Sequence, residues 1–203
     1  MGSHSPAHLP PGTSRQILDD IVRPTVVGMA AEGREYRGVL YVGLMMTADG
    51  PQVLEYNCRF GDPETQAILL RLEDSFAPVA RAAADGQLDI NALRWRREAV
   101  ACIVLAAKGY PEAPRKGDVI EGVDEALAMP GVTVYHAGTQ SDDGRLRTAG
   151  GRVLSVCGRG QRLAEAMAAA YRGVECIRFD GMHYRNDIGA DTLRRLGARH
   201  DDD

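Results

Sequence analysis

The chain has 203 residues, a formal net charge of -4, and 44% hydrophobic against 26% charged residues, an ordinary globular composition. The mild acidity excludes the broad basic footprint of a nucleic-acid binder. The longest apolar run, Ala99 to Ala107, is far short of the ~20 residues needed to cross a bilayer, so no membrane partner is expected.

The four cysteines (Cys58, Cys102, Cys157, Cys176) are scattered, with no C-x-x-C pair. This argues against a zinc or redox motif and reads as buried free thiols in a reducing cytoplasm. Residues 1–12 hold three prolines and two glycines and read as an irregular loop. Their Met-Gly-Ser-His start also looks like an expression leader. Thr13-x-x-Gln16 fits a capping box. Ile17, Ile21, Thr25 and Met29 then recur every four residues as one apolar helical stripe. Pro24 inside it should kink or split the helix, and Gly33 should close it.

Tyr36–Thr47 and Gln52–Phe60 are rich in β-formers, and the Asp49-Gly50 pair between them predicts a hairpin. Asp62 is placed as the N-cap of the next helix, with Pro63 at its first position. A second helical stretch covers 74–85. The polar, turn-rich passage from Asp85 to about Arg97 marks a domain boundary, giving portions 1–90 and 91–203. Beyond it, Ala99–Ala107 reads as a fully buried strand, Val132–Ala137 and Gly151–Val156 as two more strands, and Leu163–Val174 as an amphipathic helix. Lys108-Gly109-Tyr110-Pro111 reads as a turn, and Cys157-Gly158-Arg159-Gly160 as a strand-to-helix turn with only a weak phosphate-loop pattern. His136 and His183 lack partners at ligand spacing and read as structural. A last helix near Ala190–Leu196 precedes a charged tail, His200–Asp203.

The chemistry concentrates in Val53 to Glu64. Strand alternation predicts one apolar core face, Leu54, Tyr56, Cys58 and Phe60, and one polar face, Val53, Glu55, Asn57 and Arg59. Neighbours on a face lie ~6.7 Å apart along the strand, so Glu55 and Asn57 can offer oxygens to one hard cation. Arg59 presents a planar fork suited to phosphate or carboxylate. A cation and an arginine on one surface resemble the equipment of phosphoryl transfer; the alternative is a sheet face that merely meets water. The acidic turn at Asp62 and Glu64 suits an amine or a metal-bridged phosphate better than a bare anion.

The run Leu54-Glu55-Tyr56-Asn57-Cys58-Arg59-Phe60-Gly61-Asp62-Pro63-Glu64-Thr65-Gln66 resembles the signature of the glycinamide ribonucleotide synthetase (phosphoribosylamine–glycine ligase) family of ATP-grasp enzymes. Further segments agree in order, among them Arg23-Pro24-Thr25, Gly28–Gly33, Gly109-Tyr110-Pro111, Lys116–Ile120, His136–Thr139, Gly150–Leu154 and Arg185–Gly189. The resemblance spans essentially the whole chain and makes Met1–Pro6 native. It implies an α+β fold: the C-terminal half of an ATP-grasp domain, an antiparallel sheet with flanking helices, followed by a small β-rich domain.

The resemblance further implies that Glu55 and Asn57 hold Mg²⁺ or Mn²⁺ against ATP. Arg59 would act as the catalytic contact to the transferred phosphate, and Asp62 and Glu64 would lie on the substrate side. The family reaction phosphorylates glycine with ATP, and the amine of 5-phosphoribosylamine attacks the acyl phosphate. The likeness reaches only the C-terminal half of the family enzyme, without the ATP-grasp lid and its phosphate-holding lysines. Little or no activity is therefore expected of the chain alone, with apolar patches where the N-terminal half would dock. The competing readings are a non-catalytic interaction module, one half of a split ligase, or another carboxylate–amine ligase with a similar metal strand.

Overall fold

The structure is a computed structural model that describes residues 1–198. The expected tail at His200–Asp203 lies outside the described residues. In chain order the elements are β1 (Gly2–Ser5), α1 (Thr13–Ile17), a π-helical segment (Leu18–Val22), α2 (Arg23–Ala31), β2 (Tyr41–Thr47), β3 (Gly50–Asn57), α3 (Glu64–Leu69), α4 (Phe76–Ala84), a 3-10 turn (Ile90–Ala92), β4 (Ala99–Ala106), α5 (Val123–Leu127), β5 (Val132–His136), β6 (Thr139–Asp142), β7 (Arg145–Thr148), β8 (Arg152–Gly160), α6 (Leu163–Cys176) and α7 (Ala190–Ala198). Helices flank antiparallel sheets, so the expected α+β class holds. Two compact units form, and they do not follow chain order. A sheet unit takes residues 1–6, 62–73 and 95 onward; a hairpin unit takes residues 7–61 and 74–94.

The sheet unit is built on four antiparallel strands in the order β1-β4-β8-β5. β4 is buried along its whole length, as a continuous apolar run should be when both faces are covered. Ala101, Ile103 and Leu105 face a core shared with Ala166, Ala170 and Val174 of α6, while Val100 and Cys102 point the other way, to Ala67 of α3 and to Cys157. The buried positions of α6 (Leu163, Ala166, Ala169, Ala170, Gly173, Val174) form one helical stripe. Cys157 to Gly160, expected as a turn, instead continue β8. A Cβ on Gly158 would sit 2.3 Å from both Ala166 O and Ala170 N, so this glycine lets helix backbone touch strand backbone rather than cradle a phosphate.

Two elements of this unit carried no apolar signal. Residues 2–5, expected as loop, form an edge strand that pairs Gly2 with Ile103 and Ser5 with Val100; the backbone of β4 supplies the partner, whatever the side chains. The β6–β7 hairpin turns through Asp143 (φ 46°) and Gly144 (φ 74°), the left-handed pair that a two-residue hairpin loop requires.

In the hairpin unit the expected long helix is interrupted. Pro24 lies in the first turn of α2, directly after the π-helical segment, and Thr25 Oγ1 donates to the Ile21 carbonyl at 2.7 Å. The capping box does not form: the N-cap of α1 is Gly12, no side chain caps it, and Thr13 is the first helical residue. Gly33 closes α2 as expected, with Gly33 N and Arg34 N donating to Ala30 O and Met29 O.

All buried apolar side chains among the described residues belong to the sheet unit. The expected core face of β3 is therefore corrected: Leu54 is 64% and Tyr56 45% exposed, and Cys58 is exposed too, against the expectation of buried thiols. A two-stranded sheet buries a face only when a second layer covers it. Phe60 alone of that set finds an aromatic partner, packing edge-on against Phe76 at 5.6 Å.

Candidate functional site

β2 and β3 pair from Tyr41–Asn57 to Thr47–Gly50 around a tight turn at Ala48 and Asp49. The register shifts between Gly43, opposite Glu55, and Leu44, opposite Val53. Leu54 is thus an extra residue, a bulge that breaks the two-residue alternation. Glu55 and Asn57 stay on one face, but Val53 moves to the other. β3 also ends at Asn57, so Arg59 does not share the strand face predicted for it. It is exposed in the bend beyond, where Nη1 donates to the Phe60 carbonyl at 3.0 Å. The strand spacing assumed for Arg59 fails because the strand ends at Asn57, before it.

Glu55 and Asn57 do come together: Asn57 Nδ2 donates to Glu55 Oε1 at 3.0 Å. A Cβ on Gly43 would lie 3.0 Å from Glu55 Cγ, so the glycine opposite leaves that carboxylate its room. One carboxylate and one carboxamide, side by side and partly open to solvent, are the hard oxygen donors that Mg²⁺ or Mn²⁺ takes from protein when phosphates and water complete the shell. No cluster of three or more His, Cys, Asp or Glu among the described residues offers a metal an all-protein cage. Asn57 also lines a mostly apolar cavity of about 320 Å³ with Thr25, Val26, Met29, Tyr36 and Tyr56.

Asp62 and Glu64 belong to the sheet unit. Asp62 is not the expected N-cap: that position falls to Pro63, and no side chain caps α3. The Asp62 carboxylate instead receives Gln66 Nε2 on Oδ1 at 3.0 Å and Arg152 Nη2 on Oδ2 at 2.9 Å. Arg152 Nη1 also donates to the Asp62 carbonyl at 2.8 Å, and Ser3 Oγ donates to the Pro63 carbonyl at 2.9 Å. Glu64, half-buried, opens α3. Sequence reasoning passed over Arg152 and Ser3; the signal available was the Gly150-Gly151-Arg152-Val153-Leu154 segment, whose arginine has no obvious local partner. His136 keeps its structural reading, with Nδ1 3.0 Å from Thr139 Oγ1.

The fold is that of the ATP-grasp ligases. N5-carboxyaminoimidazole ribonucleotide synthetase from Thermotoga maritima shares it with a TM-score of 0.60 at 15% identity, over 88% of this chain and 45% of that one. Residues 1–65 match the family description "Phosphoribosylglycinamide synthetase, ATP-grasp (A) domain", and residues 100–191 match "Phosphoribosylglycinamide synthetase, C domain". The crystal structure of a phosphoribosylamine–glycine ligase from Thermotoga maritima superposes with a TM-score of 0.81 at 37% identity, over 93% of this chain and 46% of that one. The phosphoribosylamine–glycine ligase of Caulobacter vibrioides is 48% identical over 201 residues, 96% of this chain and 46% of its own length. That of Neisseria meningitidis serogroup A is 46% identical over 198 residues, with the same coverage of both chains. The chain belongs to the phosphoribosylglycinamide synthetase family, and it spans about 46% of the length of the curated relatives it matches.

Proposed function

We propose that the chain supplies the metal-binding part of a phosphoribosylamine–glycine ligase, which joins glycine to 5-phosphoribosylamine through an ATP-derived glycyl phosphate in purine biosynthesis. The Glu55–Asn57 contact carries this reading, because it occurs inside the signature run of a chain 48% identical to a relative named for that activity. The 1–90 portion would contribute to the ATP-grasp domain and the 91–203 portion would form the C-terminal domain.

Glu55 and Asn57 would hold Mg²⁺ or Mn²⁺ by a carboxylate and a carboxamide oxygen. When bound, the cation neutralises phosphate charge and so lowers the cost of bringing a carboxylate nucleophile to ATP. Arg59, an exposed guanidinium, would place its fork on the transferred phosphoryl oxygens and hold them against the glycine carboxylate. Asp62 and Glu64 would face the substrate side, where negative charge favours an amine over an anion. Catalytic groups need supporting shells that hold them to about half an ångström, so the chain by itself is expected to turn over little or no substrate.

The exposed Leu54, Tyr56 and Met45 favour one further reading, a half-ligase whose hairpin unit docks the remaining part of the ATP-grasp fold. Free thiols throughout, and the absence among the described residues of a helix long and apolar enough to cross a membrane, support a cytoplasmic setting.

Isothermal titration of the chain with Mg·ATP, beside the double variant Glu55→Gln plus Asn57→Leu, tests the proposal. Binding in the parent and its loss in the variant are expected. Equal binding in both, or none in either, overturns the metal-site assignment, and normal turnover by the chain alone overturns its incompleteness.

A further inference from the structure

Within the sheet unit, one arginine outside the Leu54–Gln66 run touches the Asp62 turn twice. Arg152 opens β8, where its backbone is fixed by pairing with Ala106. The residue before it is equally constrained: a Cβ on Gly151 would lie 2.4 Å from the Tyr110 ring. From this anchored base the guanidinium spans Asp62, one nitrogen on the carboxylate at 2.9 Å and another on the main-chain carbonyl at 2.8 Å. Gln66 takes the other carboxylate oxygen, and Ser3 takes the next carbonyl along the chain. The turn that leads into Glu64 is thus held from β8, from β1 and from α3.

Magnitudes separate a stabilising role from an orienting one. The Arg152 and Asp62 side chains are 34% and 43% exposed. An ion pair that open to water contributes only about 0–1 kcal/mol to stability. A planar fork on one carboxylate oxygen and one carbonyl nonetheless fixes direction as well as distance, which a lysine ammonium cannot do. The arrangement spends a rigid residue on geometry from which the fold gains little.

We propose that Arg152 is a positioning residue: it orients the Asp62 turn so that Glu64 meets the amine-bearing ribonucleotide. This rests on the reading that Asp62 and Glu64 face substrate. Asp62 then acts as the handle by which Arg152 holds the turn.

The test uses the full chain and glycinamide ribonucleotide as probe, followed by ligand-observed NMR, with Mn²⁺ binding followed separately by EPR. Arg152→Ala should weaken ribonucleotide binding at least tenfold, and Arg152→Lys, which keeps the charge but loses the fork, should recover part of it. Asp62→Asn should resemble Arg152→Ala. Mn²⁺ binding and the thermal midpoint should stay close to those of the parent. Should Arg152→Ala fail to fold, Arg152→Lys decides: full parental affinity there overturns the proposal, and partial loss upholds it. Parental affinity in Arg152→Ala beside weakened binding in Glu64→Gln overturns the role of Arg152 alone. No ribonucleotide binding by the parent, with Mn²⁺ still bound, overturns the substrate-side reading and this proposal with it. No Mn²⁺ binding at Glu55 and Asn57, with the ribonucleotide results as expected, overturns the metal assignment and upholds the positioning role.

Discussion

Asn57 Nδ2 donates to Glu55 Oε1 at 3.0 Å from the adjacent outward position of the same strand. This contact pairs a neutral donor with a carboxylate, so the pair carries a single negative charge. Replacing Asn57 by Asp sets two carboxylates against each other, and like charges at such distance favour either a proton or a cation between them. Asn57→Asp should therefore tighten Mn²⁺ binding several-fold in the absence of nucleotide, and Glu55→Gln should weaken it about tenfold. EPR titration of free Mn²⁺ reads both; an unchanged affinity in Glu55→Gln removes Glu55 from the ligand set.

Arg71 lies half-buried and donates to Ser5 Oγ at 3.0 Å, to Arg96 O at 3.1 Å and to Glu98 O at 3.0 Å. It ties α3, β1 and the entry to β4 with one side chain. Arg71→Met keeps much of the stem but leaves two carbonyls and a hydroxyl short of a donor. A loss of about 2–3 kcal/mol is expected in urea unfolding.

Gly158→Ala should be among the most damaging small changes. The added carbon would meet helix backbone at 2.3 Å on two sides, and neither atom is the end of a flexible side chain. Moving α6 away from the sheet opens the core between them, so a cost of about 2–4 kcal/mol is expected, measurable as a lowered denaturation midpoint.

Acid should weaken both units through identifiable carboxylates. The Asp74 carboxyl lies below its usual range, chiefly because the Arg94 main-chain N–H donates to it and then because the Arg94 guanidinium does. Asp180 is lowered chiefly by the side-chain hydrogen bond from Arg115. A carboxylate depressed in the folded state contributes its stability above the unfolded pKa, about 3.9, and loses it as pH falls through the folded value. Stability should thus drop below about pH 4. Asp74→Asn and Asp180→Asn should each flatten that slope in acid titrations followed by circular dichroism, and high salt should reduce the effect more for the exposed Asp180 than for the half-buried Asp74.

Leu54 is the bulged residue of β3 and is 64% exposed. Leu54→Glu should change folding stability by less than about 0.5 kcal/mol, as surface substitutions do. It should reduce concentration-dependent self-association in size-exclusion chromatography, because it replaces an exposed apolar side chain of the hairpin by a charge. Parental elution at every concentration for both proteins would show that the surface is not sticky.

Much of the sheet unit was readable from residue order. The run Ala99–Ala107 could only be a strand covered on both faces, and it is. The spacing of Leu163, Ala170 and Val174 identified a helix with one buried stripe. The Asp49-Gly50 hairpin and the interruption at Pro24 followed from backbone chemistry that acts within a few residues. β1 was not readable, because an edge strand gains its hydrogen bonds from a neighbour distant in sequence and needs no side-chain pattern of its own. Asp62 misled for a related reason: an aspartate before a helix usually caps it, but here Arg152, ninety residues further along, claims the carboxylate.

The sequence alone determined which residue types the candidate site would use, a carboxylate, a carboxamide and a guanidinium in one short stretch, because donor chemistry belongs to the side chain and travels with it. Only the tertiary structure decided how they are disposed. A single extra residue opposite Gly43 turned Val53 to the other face, the strand ended before Arg59, and a hairpin that buries no apolar side chain left Leu54 and Tyr56 exposed. Pairing register, strand ends and burial are set by contacts between distant segments, and alternation along one strand carries no record of them.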